Sequence, residues 1–386
     1  MKYMGSKRKL LAGALSEVIG KELCGRGRFV DLFCGSGAVS QFVATKYKIP
    51  VAAVDLQMFA TTIAESFLSR TQKEDGTFLA NQWCSNAQQV YNASELSGFV
   101  EEWENSVRKN LRKKDVLFAR QICRKNESDG PIWNAYGGYY LSLRQALQVD
   151  ALLATLPSKQ RAECLAALIV VISKSVASPG HTAQPFQPTK KALPYIQEAW
   201  NRNVFEQIHA ALKKVCSICS NVIGSSFCGD AQTYVDTELR DGDLVFIDPP
   251  YSSVQYSRFY HVLETVTRGV KTKVEGNGRY PTIENRPQSR FSNKGTSRGA
   301  MKKLLSSLSQ KDVSVIITFP DGKCSNGLNS DWIVREARKY FNTRRIKAKN
   351  SFSTLGGNNE NRAARMNTVE LILVLHKRTN PTQNNS

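Results

Sequence analysis

At 386 residues the chain is long enough for a full core and two domains, and 41% apolar residues exclude a disordered chain. Its 53 Lys and Arg against 33 Asp and Glu give a formal net charge of +20. That excess points to a polyanionic partner, because neutralising phosphates releases counterions; a merely basic soluble enzyme is the competing reading.

No apolar run approaches the ~18 residues of a membrane span; the longest, Cys164 to Ile172, is too short. The start, MKYMGSKRKLL, lacks the apolar core and cleavage site of a signal peptide. Nine Cys, an odd number scattered over a long chain, fit reduced thiols better than a disulfide framework. The expectation is a cytoplasmic protein (bacterial, archaeal or phage-encoded) with no membrane partner.

In chain order, residues 7–23 read as helix, and 28–33 (Arg-Phe-Val-Asp-Leu-Phe) as a short apolar strand. A Gly-containing turn, a helix over 38–46, a strand at 51–55 and a helix over 57–70 follow. This strand–helix–strand order implies a parallel sheet. From 71 to 220 strand signals fade and helices dominate, at 98–120, 140–155, 159–176 and 196–219. The sheet resumes at 221–228, 243–248, 312–319 and 367–375. The expected fold is therefore α/β: a mostly parallel twisted sheet from residues 1–70 and 221–376, with a helical domain, 71–220, inserted. Residues 268–303 carry ten Lys/Arg and two Glu, and 10 − 2 gives a local charge of +8. With its Gly and Ser content this stretch reads as a basic loop that orders on binding, and residues 377–386 as a disordered tail.

The apolar run Asp243 to Ile247 ends in Asp248-Pro249-Pro250-Tyr251. A buried strand thus delivers a carboxylate, two rigid prolines and an aromatic face. Methyl transfer to an exocyclic amino group on a planar ring needs this set. The carboxylate accepts one N–H, a carbonyl freed by the following proline accepts the other, and the tyrosine stacks on the ring.

Upstream, the turn Asp31-Leu32-Phe33-Cys34-Gly35-Ser36-Gly37 joins a strand to a helix, and its glycines allow close backbone approach to a ligand. It lacks the third Gly of a dinucleotide fingerprint, so NAD is poorly supported. Asp55 ends the next strand, where an acid can accept from both hydroxyls of a ribose; a helix N-cap is the alternative. Lys2-Tyr3-Met4-Gly5-Ser6-Lys7-Arg8 places a ring and cations beside a Gly, with a plain basic arm as the other reading. Cys216-x-x-Cys219 is a lone pair inside a helical pattern, so it reads as buried thiols and no metal site is expected.

The order KYMGSK, DLFCGSG, helical insertion, DPPY resembles the D12-class DNA adenine-N6 methyltransferases, the DNA adenine methylase family, in the alpha-group motif arrangement. The resemblance spans roughly residues 2–70 and 220–375. It implies a Rossmann-like methyltransferase fold, S-adenosylmethionine as cofactor and double-stranded DNA as substrate. By the same resemblance Tyr3 and Lys7 match the N-terminal cofactor motif, and Asp31, Phe33, Gly35 and Gly37 the cofactor loop. Asp55 matches the ribose acid, Asp230 an acid near the cofactor adenine, and Asp248, Pro249, Pro250 and Tyr251 the catalytic motif. The N-terminal motif departs from the family, with Tyr, Met and Ser where Trp, Ala and Gly are common. The insertion is also longer, so recognition specificity cannot be borrowed.

On this reading Asp248 and the Pro249 carbonyl draw the amino hydrogens out of conjugation, and N6 attacks the methyl in line. Paired adenine must first flip out, and Tyr251 stacks on it. Phe33 and Tyr256 are pocket candidates, with core packing as the equal alternative. Arg258 is read as a phosphate ligand or as a plug for the vacated base-pair space, against a solvated arginine. Arg279, Arg286, Arg290, Lys294 and Arg298 form the expected electrostatic footprint for DNA. Gln184 and Gln187 are candidates to read adenine edges, against an ordinary interhelical loop. The expected role is restriction–modification, with a cognate endonuclease or other defence component as partner, or orphan methylation, by a monomer. Rival readings are cytosine-N4 or RNA amino-group methylation, and a non-catalytic DNA-binding protein on a degenerate methylase fold.

Overall fold

A computed structural model of the chain describes residues 7–322, 324–351 and 367–378. Tyr3, and the expected tail beyond residue 378, lie outside the described residues. The chain forms two compact units. One takes Gln72–Cys219 and Ser257–Pro287; the other takes 7–71, 220–256 and the described residues from 288 onward.

Nine strands occur among the described residues: β1 (Arg28–Asp31), β2 (Val51–Asp55), β3 (Ser225–Cys228), β4 (Asp243–Ile247), β5 (Val274–Glu275), β6 (Tyr280–Pro281), β7 (Ser314–Pro320), β8 (Phe341–Ser351) and β9 (Asn367–Lys377). Seven of them make one sheet in the order β3-β2-β1-β4-β7-β9-β8. The first five in that order run parallel, and β9 lies antiparallel to both β7 and β8. The architecture is the mostly parallel α/β sheet expected.

Central parallel strands are covered on both faces, which is why β4 (Asp-Leu-Val-Phe-Ile) is buried at every position and β2 at four of five. The sequence pattern missed β8, whose Arg344, Arg345 and Lys347 suppress any apolar signal. It pairs on one side only, as an edge strand, and charged side chains suit an exposed edge.

Arg28 and Asp243 pair in register at the starts of β1 and β4. The guanidinium donates Nε to Oδ1 at 3.0 Å and Nη2 to Oδ2 at 2.7 Å, and Oδ2 also accepts from the Arg240 amide at 2.9 Å. The fork closes the bottom of the sheet next to the central strand pair.

In the helical unit the expected helices are shorter and more broken than the periodicity predicts. Residues 98–120 split into Ser97–Val107 and Lys113–Lys125, and 196–219 into Leu193–Trp200 and Val204–Cys216. The second break falls where Asn203 caps a new helix by accepting from the Glu206 amide. Gly76–Ala93, an unexpected helix, is capped by Asp75 and presses on the backbone of Val204–Cys216. A Cβ on Gly76 would lie 2.5 Å from the Leu212 carbonyl oxygen.

Residues 257–287, expected with the sheet, group with the helices, and polar ties explain why. Tyr140 Oη donates to the Gly278 carbonyl at 2.8 Å, Arg279 Nε to that of Ala135 at 2.8 Å, and Tyr280 Oη to that of Ala183. His261 is fully enclosed: Nε2 donates to the Thr182 carbonyl at 2.6 Å and Nδ1 accepts from Tyr136 Oη at 3.1 Å. Burial pushes it down to about 3, so it stays neutral. The expected basic loop 268–303 is not irregular throughout. It contains the β5–β6 ribbon, the turns Ile283–Asn285 and Arg290–Ser292, and the start of helix Ser297–Ser309.

Replacing Asp243 with Ala strands the Arg28 guanidinium, so the urea midpoint should fall by the equivalent of about 3 kcal/mol with an unchanged m-value. A loss under ~1 kcal/mol would show that the fork is solvent-screened and not structural.

Candidate active site

The chain winds outward from β1 through β2 to β3, then returns to β4 on the other side of β1 and continues to β7. In such a sheet the connections diverge beyond the carboxyl ends of β1 and β4, and the crevice there is where ligands bind. Asp31 ends β1, Asp55 ends β2, Asp230 follows β3 and Asp248 follows β4. All four expected acids thus stand at one edge of one sheet.

The turn after β1 is shaped by two glycines at positive φ, Gly35 at 48° and Gly37 at 71°, the latter opening helix Ala38–Lys46. That conformation is costly for other residues. The Gly35 amide donates to Asp55 Oδ2 and the Gln57 amide to Asp55 Oδ1, both at 2.9 Å. Asp55 therefore braces the turn while ending its strand.

Asp31 is buried, and Ser40 Oγ donates to its Oδ2 at 2.6 Å. Among the described residues its Oδ1 makes no hydrogen bond of good geometry, although the Phe33 amide is near enough to favour the charged form. Burial outweighs the Ser40 bond and, with Asp248 and Asp55 nearby, pushes Asp31 to about 7. Asp230 caps helix Ala231–Thr237 through the Gln232 amide at 2.9 Å. Phe33 packs edge-on against Phe291, with centroids 5.1 Å apart. A buried acid whose Oδ1 has no hydrogen-bond partner among the described residues, a positive-φ glycine turn and a strand-end acid fit a cationic, hydroxylated ligand.

Lys7, expected in the cofactor motif, has its Nζ 2.8 Å from Asp248 Oδ1 and 2.6 Å from Glu370 Oε1. Burial alone would pull this ammonium down, but the two carboxylates outweigh it and hold it above its ordinary value. Asp248 moves the other way: burial, with Glu370 adding to it, outweighs Lys7 and raises it to about 6. Thr318 Oγ1, from β7, donates to Asp248 Oδ1 at 3.0 Å. Both contacts fall on Oδ1, and no other described residue bonds Oδ2. Side-chain exposure is 17% for Asp248, against 3% for Lys7 and 0% for Glu370, so only Asp248 can meet a substrate.

The residues after Asp248 are held by a segment that motif reading did not reach. Asn326 Nδ2 donates to the Pro250 carbonyl at 2.7 Å and to the Phe291 carbonyl at 2.9 Å, and Ser325 Oγ accepts from the Ser253 amide at 2.9 Å. Asn326 is fully buried, and its own carbonyl is held by Ser297 Oγ at 2.7 Å. Tyr251 packs on the core below and meets Tyr256 edge-on at 6.4 Å.

The family model for D12 class N6 adenine-specific DNA methyltransferases matches residues 3–126 and 133–317, most of the chain. The chain belongs to this family. It is also similar to the modification methylase LlaI of Lactococcus lactis subsp. lactis, at 23% identity over 280 residues. That stretch is 69% of this chain but 38% of the relative, so the chain spans less than half the length of the methylase it matches.

The residues expected at DNA divide between the two units. In the sheet unit Arg290 and Lys294 are exposed, whereas Arg298 donates Nε to the Gly327 carbonyl at 3.1 Å and lies over Trp332. Tyr256 is half-buried beside Tyr251. In the helical unit Gln184 is exposed, and Gln187 accepts from Arg120 Nη1 at 3.3 Å. Arg258 and Arg286 both lie over the Tyr280 ring, at 4.6 and 5.5 Å. Arg279 is largely engaged within the unit, donating to the carbonyls of Ala135 and Asn134 at 2.8 and 2.6 Å. Sequence reasoning missed Thr318, Asn326 and Glu370, which carry no motif and reach the site only through the fold.

Lys7→Met takes from Asp248 and Glu370 the cation they share, which pushes Asp248 further up. Carboxyls raised in the folded state cost stability as pH increases through their folded values. The variant should be about 3–5 kcal/mol less stable than wild type at pH 8, and the deficit should shrink at pH 5, where protonation relieves the repulsion. Urea titrations at the two pH values check this; an equal deficit at both would mean that Lys7 acts by packing alone.

Proposed function

We propose that this chain methylates N6 of adenine in duplex DNA from S-adenosylmethionine, at a specific sequence, in a restriction–modification or orphan methylation role. The observation that carries the reading is Asp248. It is a carboxylate held through Oδ1 by Lys7 and Thr318 on a side chain that stays 17% exposed, and Oδ2 has no hydrogen bond among the described residues.

When bound, S-adenosylmethionine supplies a methyl group on a positively charged sulfur. Asp31, Gly35, Gly37, Asp55, Phe33 and Asp230 are the residues that would hold it. The acceptor adenine, flipped from the helix at a cost of a few kcal/mol, stacks on Tyr251. Asp248 Oδ2 accepts one N6–H and the Pro249 carbonyl the other, which localises the lone pair on N6. Methylation would leave positive charge on N6, which Asp248 would face until the surplus proton passes to solvent. Catalysis is alignment and electrostatics, with no covalent enzyme intermediate. Asn326 acts as a positioning residue by fixing the Pro250 carbonyl. Glu370 acts through Lys7: it shares the ammonium that would otherwise belong to Asp248 alone.

Long-read modification mapping of DNA from cells expressing wild type or Asp248→Ala tests the reading. Wild type should leave N6-methyladenine at one short motif and the variant none. N4-methylcytosine, or modified RNA alone, would overturn the substrate assignment.

Asp248 must be ionised to accept the amino hydrogen, so kcat/KM should fall as pH drops through about 6. Glu370→Gln removes a negative neighbour, so the acid limb should move to lower pH. A limb that stays in place would show that Glu370 serves folding only.

A further inference from the structure

Three arginines of the helical unit converge on one tyrosine. The guanidinium carbons of Arg120, Arg279 and Arg124 lie 4.4, 4.6 and 5.7 Å from the Tyr139 ring centroid. None of them pairs with a carboxylate among the described residues. Arg120 donates to the Gly138 and Phe186 carbonyls and to Gln187, Arg279 to the Asn134 and Ala135 carbonyls, and Arg124 to Tyr139 Oη. Each guanidinium carries five N–H donors, so all three keep donors to spare.

Like charges brought this close without a counter-ion repel, and partial burial strengthens the repulsion. Burial and the neighbouring guanidiniums lower both Arg120 and Arg279 from the ordinary arginine value. The backbone is nonetheless shaped to hold the cluster. Arg279 is the one non-glycine residue at positive φ among the described residues, at 54°. Gly138, also at positive φ, lets the chain press against Arg120, since a Cβ there would meet the Arg120 nitrogen at 2.6 Å. Arg124 is exposed, so the cluster opens to solvent. Arg120 and Arg124 share helix Lys113–Lys125 with Lys113, Lys114 and Lys125, while its single acid, Asp115, is taken by Arg112. A row of cations fits a polyanion better than one small ion.

We propose that Arg120, Arg124 and Arg279, arrayed around Tyr139, form a phosphate cradle that grips the backbone of duplex DNA. This rests on the DNA reading above and adds a site to it. Arg124 supplies the exposed fork, and Arg120 and Arg279 supply fixed charge behind it. Because Arg120 also holds Gln187, the cradle couples backbone grip to a side chain expected to read bases.

The test is the salt dependence of binding to a short duplex, by fluorescence anisotropy on the full chain between about 0.05 and 0.3 M salt, with methyl incorporation measured in parallel. Arg124→Gln should weaken binding roughly threefold to tenfold and reduce the slope of log K against log salt by about 0.9 in magnitude. Arg124→Lys should keep the slope and lose part of the affinity, since it retains charge without the planar fork. Wild-type slope and affinity in Arg124→Gln, with wild type methylating, would sink the cradle and leave the enzyme assignment standing. Wild type that binds duplex without methylating, while Arg124→Gln still loses slope, would support the cradle and sink the methylation reading. Wild type that does not bind duplex at all overturns both.

Discussion

A single buried ammonium ties the candidate site together. Lys7 comes from the N-terminal segment, Asp248 from the middle of the chain and Glu370 from the strand near the far end. Bringing three charges out of water is costly, and only close pairing offsets it. The arrangement therefore exists only when β4, β9 and the first turn are assembled together. Burial, with the second carboxylate adding to it, raises the carboxyl of Asp248, the most exposed member of the trio.

The sheet order decides what that carboxylate faces. Because β1 and β4 are neighbours whose connections leave in opposite directions, their carboxyl ends form one crevice. The glycine turn and Asp31 line it from β1 and Asp248 from β4. The glycine turn and Asp248 thereby share one edge of the sheet, brought together by the parallel register of two strands. Thr318, one strand further, belongs to the same edge, which is why it can hold Asp248 without any neighbouring motif.

The helical unit spends its polar side chains differently. Tyr136, Tyr140, His261 and Thr182 satisfy one another in the interior and fasten residues 257–287 to the helices. Basic residues of the unit split into those engaged internally, such as much of Arg279, and those left outside, such as Arg124. Composition cannot make that division, because every arginine contributes the same +1 to the count.

The sequence by itself determined what is local. The apolar runs of β1, β2, β4, β7 and β9, the positive-φ glycines after β1, and the Asp-Pro-Pro-Tyr step after β4 are all written in consecutive residues, since short-range sterics and burial periodicity create them. Tertiary structure alone decided what is distant. It placed Lys7 on Asp248 and put Glu370 behind it. It sent Asn326 to the Pro250 carbonyl, turned a basic stretch into the edge strand β8, and moved 257–287 into the helical unit. Each depends on pairing between residues far apart in the chain. A buried Glu or Asn bears no local mark of the charge or carbonyl that it will meet, so that information exists only once the fold has closed.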